Sequence, residues 1–276
     1  AFDPSSGGDL LNDMKLKVPH HRIMDQLSLS NSLDVLKRKL DSSSAVHQAS
    51  SLQQQAIDVL MKGVGEAFDL TNEDPRLIER YDTSRFDVPQ ATVDKRKNKD
   101  AIRGHSPISL GKQMLLARRL CESGCGFITV SSPGWDMHGA HEFAITDGMP
   151  VLGPAVDKAV SAFMEDIELR GLSEKVLLVI TGEFGRTPKI NDKGGRDHWG
   201  NLCPLVFVGG GLKMGQVIGA SDKKGAEPIT NPITSSDLLG TIMHTLFDLG
   251  EVRTLANIPR DVQDVIGSGN PISELI

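Results

Sequence analysis

The sequence predicts an α/β fold with a largely parallel sheet, flanked by helices and preceded by a helical segment. In the second half of the chain, helix-like stretches alternate with short apolar stretches, which is typical of parallel strands joined by helices. The stretch from Val176 to Ile180 has no polar residue, as expected for a strand covered on both faces. In the first half of the chain, apolar residues recur at the spacing of a helix, and no stretch shows a comparable strand pattern.

Composition excludes several classes of function. The 276 residues are 39% hydrophobic and 24% charged, which is enough to form a buried core. The net charge of -6 disfavours general nucleic-acid binding, because such a surface repels phosphate. No apolar run approaches the roughly 18 residues of a membrane-spanning helix. Three cysteines do not make a disulfide framework.

Residues 1–105 are predicted to be a helical segment. A first helix is indicated by regularly spaced leucines, and a second helix is expected to follow it and to run to about Met61. Thr71 with Pro75 marks the start of a helix from Arg76 to Tyr81. The charge run from Asp94 to Arg103 is interpreted as a solvated surface loop rather than an anion-binding patch. The leucines that indicate the first helix are Leu27, Leu29, Leu33, Leu36 and Leu40.

Residues 106–276 are predicted to be one α/β core. Helices are expected at 107–122, 151–170 and 235–247, and strands at 126–131, 175–181, 204–208 and 216–219. Thr234 with Asp237 three residues later predicts a capping box at the start of the last helix. The glycine runs do not form a G-x-G-x-x-G pattern between a strand and a helix, which argues against a nucleotide site.

Potential metal ligands gather in three loops at the edges of the predicted strands. Loops at one edge of a parallel sheet converge, and a divalent cation prefers a mixture of carboxylate and imidazole ligands. Each loop alone also fits an ordinary turn or a surface ion pair, so the hypothesis of a metal site rests on their combination. The predicted metal ligands are Asp136, His138, Glu183, Asp197 and His198.

Arg186 is the candidate catalytic residue. It follows Glu183 by three residues, and its planar guanidinium can bind two oxygens of a sulfate, phosphate or carboxylate group. The alternative is that Glu183 and Arg186 form only a surface ion pair, which would contribute about 0–1 kcal/mol to stability.

The three loops together resemble a sulfatase-like family described as domain of unknown function fifteen-oh-one. The resemblance is good over residues 107–250 and looser in the first half. That family is similar to the alkaline-phosphatase-like superfamily, which includes phosphatases, sulfatases and cofactor-independent phosphoglycerate mutases. The motifs that carry the resemblance are Trp135-Asp136-Met137-His138-Gly139, Gly182-Glu183-Phe184-Gly185-Arg186-Thr187-Pro188 and Gly195-Arg196-Asp197-His198-Trp199.

The resemblance implies an alkaline-phosphatase-like (sulfatase-like) core and a two-metal hydrolase. Asp136, His138 and His198 would bind one metal, and Glu183 the second. Phe184 stands where the superfamily carries a histidine, so the second site would be absent or would suit a harder ion. The implied cofactors are divalent ions: zinc, calcium, magnesium or manganese.

The implied function is metal-dependent hydrolysis of sulfate or phosphate esters, with a small-molecule or glycan ester as substrate. The alternative is a catalytically degenerate module that binds a metal or an anion, for example a sulfated glycan. The resemblance also suggests that the chain is the carboxyl-terminal part of a longer, exported or periplasmic protein that carries its nucleophile upstream. Without its first strands the sheet would expose an unpaired apolar edge, which predicts self-association.

Overall fold

The structure is a computed structural model that describes residues 18–19, 21–22, 25, 64–139, 143–254, 258–267 and 269–276. The helices predicted between Leu27 and Met61 lie outside the described residues. The chain divides into two compact units, each formed by two segments. Unit 1 comprises Ala1–Thr83 and Ser109–Ser131, and unit 2 comprises Ser84–Ile108 and Ser132–Ile276. The division into a helical segment at residues 1–105 and an α/β core at residues 106–276 stays a prediction.

The described residues form helices and short strands, so the mixed α and β character is confirmed. Among these residues, no helix is both long and apolar enough to cross a bilayer. The helices are α1 Val64–Ala67, α2 Pro75–Tyr81, α3 Gln90–Asp94, α4 Lys99–Gly104, α5 Leu110–Glu122, α6 Ile145–Leu169, α7 Ser235–Leu246, α8 Leu249–Thr254 and α9 Arg260–Ile266. The strands are β1 Leu177–Ile180, β2 Gly185–Arg186, β3 His198–Trp199 and β4 Val206–Gly209.

In unit 1, helix α5 packs against α1 and α2. Its buried residues include the whole stretch from Met114 to Arg118, so this part of the helix is covered on more than one face. Gly111 permits the close approach to the end of α2, since a Cβ there would lie 1.6 Å from the carbonyl oxygen of Tyr81. The backbone N–H of Gly111 also donates to Thr83 Oγ1 at 3.0 Å. The helix predicted at 107–122 is therefore confirmed, with a start at Leu110.

In unit 2, the core that supports the candidate site is a cluster of buried apolar side chains from α3, α4, the first half of α6 and the loops between them. Helix α6 begins at Ile145, earlier than the predicted start at 151. Proline is typical of the first turn of a helix, but Pro150 and Pro154 both lie within this one. An ion pair between Arg96 and Asp147 lies at this earlier first turn. The members of the cluster are Val88, Val93, Ile102, Met137, Phe143, Val151 and Leu152.

The expected parallel sheet is not found among the described residues. Strand β1 pairs antiparallel with β4, Leu177 opposite Gly209 and Ile180 opposite Val206, and β2 pairs antiparallel with β3. An apolar stretch indicates that a strand is covered but not the direction of its partner, so the sequence could not distinguish parallel from antiparallel pairing. The strands predicted at 175–181 and 204–208 do exist, as β1 and β4.

Three further predictions are wrong in detail. The stretches at 126–131 and 216–219 are not strands, and the apolar residues that suggested them are exposed, Phe127 to 84% and Val217 to 96%. The charge run from Asp94 to Arg103 contains most of α4 rather than being a loop, because Asn98 caps this helix and Ile102 is buried.

The capping box of Thr234 and Asp237 is confirmed at the start of α7.

Candidate metal centre

Three loops form the candidate site: the first is residues 135–139, the second 182–188 and the third 191–199. The first loop is held in place by the core of unit 2. Met137 is 6% exposed and belongs to the buried cluster, so its two neighbours, Asp136 and His138, project away from the core. The loop also needs glycines. Gly139 has a φ of 79°, and a Cβ at this position would lie 2.1 Å from the carbonyl oxygen of Lys193. The glycine therefore lets the first and third loops touch through their backbones.

The second and third loops are joined by the pairing of β2 with β3. In this pairing Arg186 lies directly opposite His198. Two further bonds extend the contact, since Thr187 N donates to the carbonyl oxygen of Asp197 at 2.9 Å and Asp197 N donates to Thr187 Oγ1 at 3.1 Å. Residues that are distant in sequence thus meet in unit 2.

Asp136, His138 and His198 form a triad of potential metal ligands, as predicted. Asp136 Oδ1 lies 2.8 Å from His138 Nε2 and 3.4 Å from His198 Nε2, and the two Nε2 atoms are 3.0 Å apart. Tetrahedral zinc, with ligands at 2.0–2.1 Å, has about 3.3 Å between neighbouring ligand atoms. The spacing of the triad therefore fits three ligands of one such ion.

The hydrogen bonding of His138 gives a second reason why a cation fits. Its Nε2 lies 3.0 Å from Arg186 Nη1, which only donates, and 2.8 Å from the Asp136 carboxylate, which only accepts when ionised. A proton on Nε2 suits the carboxylate and opposes the guanidinium, and a lone pair has the reverse effect. A cation would instead accept lone pairs from the oxygen and both ring nitrogens.

Asp197 contacts the other ring nitrogen of His138. Its Oδ1 lies 3.3 Å from His138 Nδ1, away from the ligand atoms of the triad, and this hydrogen bond is the main cause that lowers the pKa of Asp197. A carboxylate on the far nitrogen of a metal-binding histidine fixes its tautomer and ring orientation. Asp197, predicted as a ligand, is thus placed to orient a ligand.

Asn191 is a supporting residue that the sequence analysis missed. Its Nδ2 donates to Asp197 Oδ1 at 3.1 Å and to the carbonyl oxygen of His138 at 3.3 Å. Its Oδ1 accepts from the backbone N–H groups of Lys193 and Gly195, both at 3.0 Å. An asparagine ahead of a glycine pair is typical of such a side-chain turn, and this signal was available in the sequence.

Arg186 supplies positive charge to the triad. Its Nη2 donates to Asp136 Oδ1 at 2.6 Å, and this bond is the main cause that lowers the pKa of Asp136. Phe184 lies beside the same group, with its ring 4.1 Å from the His198 ring between centroids and 5.8 Å from Arg186 Cζ. Phe184 therefore packs on the imidazole of one ligand.

Glu183, also predicted as a metal ligand, is not part of the triad. Phe184 contacts His198, and Arg186 contacts Asp136. Glu183, in the bend just ahead of β2, is exposed and supplies no ligand atom to this group. Within the described part of the chain, the three residues Asp136, His138 and His198 are the only such group of potential ligands.

Comparisons with known proteins give one match. A family model described as "Protein of unknown function (DUF1501)" matches residues 2–276. No curated protein and no solved structure matches the sequence.

Proposed function

Since the chain belongs to the DUF1501 family, we propose that it forms the metal site of a metal-dependent hydrolase of sulfate or phosphate esters. The observation that carries this proposal is the triad of Asp136, His138 and His198, with three potential ligand atoms at metal-site spacing. The resemblance of the surrounding loops to sulfatase-like proteins supplies the reaction class. The geometry of the triad supports a cation independently of that resemblance.

In this proposal each residue has a separate task. Asp136, His138 and His198 would hold a divalent cation, which would supply a Lewis acid for an oxygen of the sulfuryl or phosphoryl group. Asp197 keeps the ring of His138 in the orientation that directs Nε2 toward the triad. Arg186, beside the triad, binds non-bridging oxygens of the substrate and neutralises the charge that builds on them in the transition state.

The finer features implied by the resemblance belong to the same proposal. They are the alkaline-phosphatase-like core, a second metal near Glu183, and an exported or periplasmic location. Since Glu183 is outside the triad, a second ion near it needs ligands other than those of the triad. Self-association through an unpaired sheet edge is likewise a prediction.

A second candidate function is a module that binds a metal or an anion without turnover. It is favoured by Phe184, which places an aromatic ring on His198 at the position where the sulfatase-like resemblance calls for a histidine. The triad supplies ligands for one metal ion, whereas hydrolysis with two metal ions needs a second set of ligands.

Metal content and turnover of the purified full-length protein test the proposal. We expect about one zinc or manganese ion per chain and metal-dependent hydrolysis of aryl sulfates or aryl phosphates. The variant His138→Ala should lose both, because it removes a central ligand atom. The control is His244→Ala, which changes an exposed histidine near the end of α7, outside the triad, and should keep both.

The other outcomes separate the candidates. Bound metal that is lost in His138→Ala, without hydrolysis of either ester, supports the binding module and refutes the hydrolase. Protein that takes up no divalent ion, with a melting temperature unchanged by added zinc or manganese, refutes the metal site. The loop side chains would then be ordinary ion pairs and hydrogen bonds.

A further inference from the structure

The guanidinium of Arg186 contacts two of the three potential ligand atoms. Its Nη2 is 2.6 Å from Asp136 Oδ1, and its Nη1 is 3.0 Å from His138 Nε2. These are the same atoms through which Asp136 and His138 approach each other and His198. The guanidinium therefore satisfies lone pairs that a bound metal ion would need.

A divalent cation and the guanidinium oppose each other at this position. Both are positive, and both are drawn to the single carboxylate of the triad. The ring nitrogens add no formal charge when they bind a metal, because only neutral imidazole is a ligand. Within the triad, one negative charge would face three positive charges if the ion bound while Arg186 stayed in place, and a further carboxylate, Asp197, lies on the far side of the His138 ring.

The geometry allows Arg186 to release the triad. Its side chain is 25% exposed and the Asp136 side chain is 59% exposed, so the guanidinium is not enclosed. Its Nη1 also lies 3.4 Å from the carbonyl oxygen of Arg196, and the ring of Phe184 is 5.8 Å from Cζ. These groups provide contacts that do not depend on the Asp136 carboxylate.

We propose that Arg186 occupies the cation site in the free protein and is displaced when a tetrahedral oxyanion binds together with the metal ion. The inference rests on the metal site of the proposed function and adds its regulation. A sulfate or phosphate group offers the guanidinium two oxygens, so Arg186 exchanges its bonds to Asp136 and His138 for a bidentate bond to the anion. The negative charge of the anion also offsets the surplus positive charge.

The consequence is a positive coupling between cation and oxyanion. Each should raise the affinity of the protein for the other by the same factor, because binding free energies are linked. The ligand class that this coupling selects is an anion with several terminal oxygens on one centre, a sulfate or phosphate group. A halide or a neutral triester lacks two terminal oxygens on one centre and therefore cannot form the two parallel N–H···O bonds.

The test measures zinc affinity by calorimetry, with and without inorganic sulfate, at constant ionic strength maintained with chloride. In the wild-type protein sulfate should tighten zinc binding by about tenfold, within the usual range of coupling between sites. Arg186→Gln should bind zinc about tenfold more tightly than the wild type without sulfate, and should no longer respond to sulfate. Arg186→Lys keeps the charge but not the planar fork, and should fall between them.

The control variant is Lys193→Gln, which removes an exposed positive charge from the third loop without altering a bond to the triad. Its zinc affinity should change by less than about twofold, and its response to sulfate should persist. The inference is overturned if Arg186→Gln binds zinc no more tightly than the wild type or responds equally to sulfate. If the wild type and all variants bind no zinc under any condition, the metal site itself is refuted.

Discussion

The two units each contain a cluster of charged and polar side chains, and the clusters differ in exposure. In unit 1, Glu73 Oε2 accepts hydrogen bonds from Arg118 Nη2 at 2.8 Å and Arg119 Nη1 at 2.6 Å. Arg118 Nη1 also donates to Glu122 Oε2 at 2.5 Å. The side chains of Arg118 and Glu73 are 1% and 8% exposed, whereas in unit 2 those of Asp136 and His198 are 59% and 53% exposed.

The difference indicates which cluster serves structure and which can bind a ligand. In unit 1 each carboxylate oxygen named above faces guanidinium donors, so donors and acceptors match, and Arg118 and Glu73 are shielded from water. In unit 2 three atoms with lone pairs crowd together within reach of solvent, and one guanidinium cannot satisfy them all. Mutual satisfaction is typical of a structural cluster, and crowded acceptors that remain accessible are typical of a metal site.

The largest expected effect is on the stability of unit 1. Glu73→Gln removes the charge that two guanidinium groups share and leaves surplus positive charge beside the buried Arg118. We expect a loss of about 3–5 kcal/mol in the free energy of unfolding, the usual cost of breaking a buried ion pair. Urea unfolding measures it. Glu79→Gln, on the exposed side of α2, is the matched control and should change stability by less than about 0.5 kcal/mol. Equal effects of the two variants would contradict the structural role.

Local signals in the sequence predicted the elements whose stabilising contacts are themselves local. Helix α7 is an example: Thr234 Oγ1 accepts from Asp237 N at 3.3 Å, and Asp237 Oδ2 accepts from Thr234 N at 2.8 Å. The direction of strand pairing was not predictable in this way. Apolar side chains suit both parallel and antiparallel partners, and the partner of β1 is separated from it by the loops of the site.

The candidate site was predicted in part, for a related reason. Residue type was enough to select Asp136, His138 and His198, because carboxylate and imidazole are typical ligands. It was not enough to place Glu183, which lies in the bend ahead of β2 and outside the triad. The unit 1 cluster was not predicted, since Glu and Arg residues usually face solvent and no motif marks Glu73 and Arg118 as partners.

A smaller effect is expected from the support of the metal site in unit 2. Asp197→Asn keeps the shape of the side chain but removes the charge that holds Nδ1 of His138. We expect zinc affinity to fall by about 10–100-fold, the usual effect of losing such a supporting group, while one ion still binds per chain. Calorimetric titration with zinc measures both quantities. Asp192→Asn, an exposed neighbour in the same loop, should bind zinc as the wild type does, and an unchanged affinity in Asp197→Asn would show that Asp197 does not orient the ligand.

The smallest expected effect is the pH dependence of stability, which compares the same two clusters. Burial alone raises the pKa of Glu73, but hydrogen bonds from Arg119 and Arg118 outweigh it, so the pKa lies below its usual value of 4.5. The pKa of Asp136 is lowered mainly by its bond to Arg186. A lowered pKa in the folded state contributes stability that is complete above the unfolded value and is lost as the pH falls through the folded value.

The stability that the two carboxylates contribute is therefore lost in acid, below about pH 4.5. Burial decides which of the two losses is larger. Because Asp136 is largely exposed, solvent screens its pairing with Arg186, and most of the acid loss should come from Glu73. Unfolding free energies measured between pH 6 and pH 2.5 should fall less steeply in Glu73→Gln than in the wild type. Asp136→Asn should keep the wild-type slope. A flatter profile in Asp136→Asn alone would mean that the exposed cluster, and not the buried one, stabilises the folded chain, which would reverse the roles assigned to the two units.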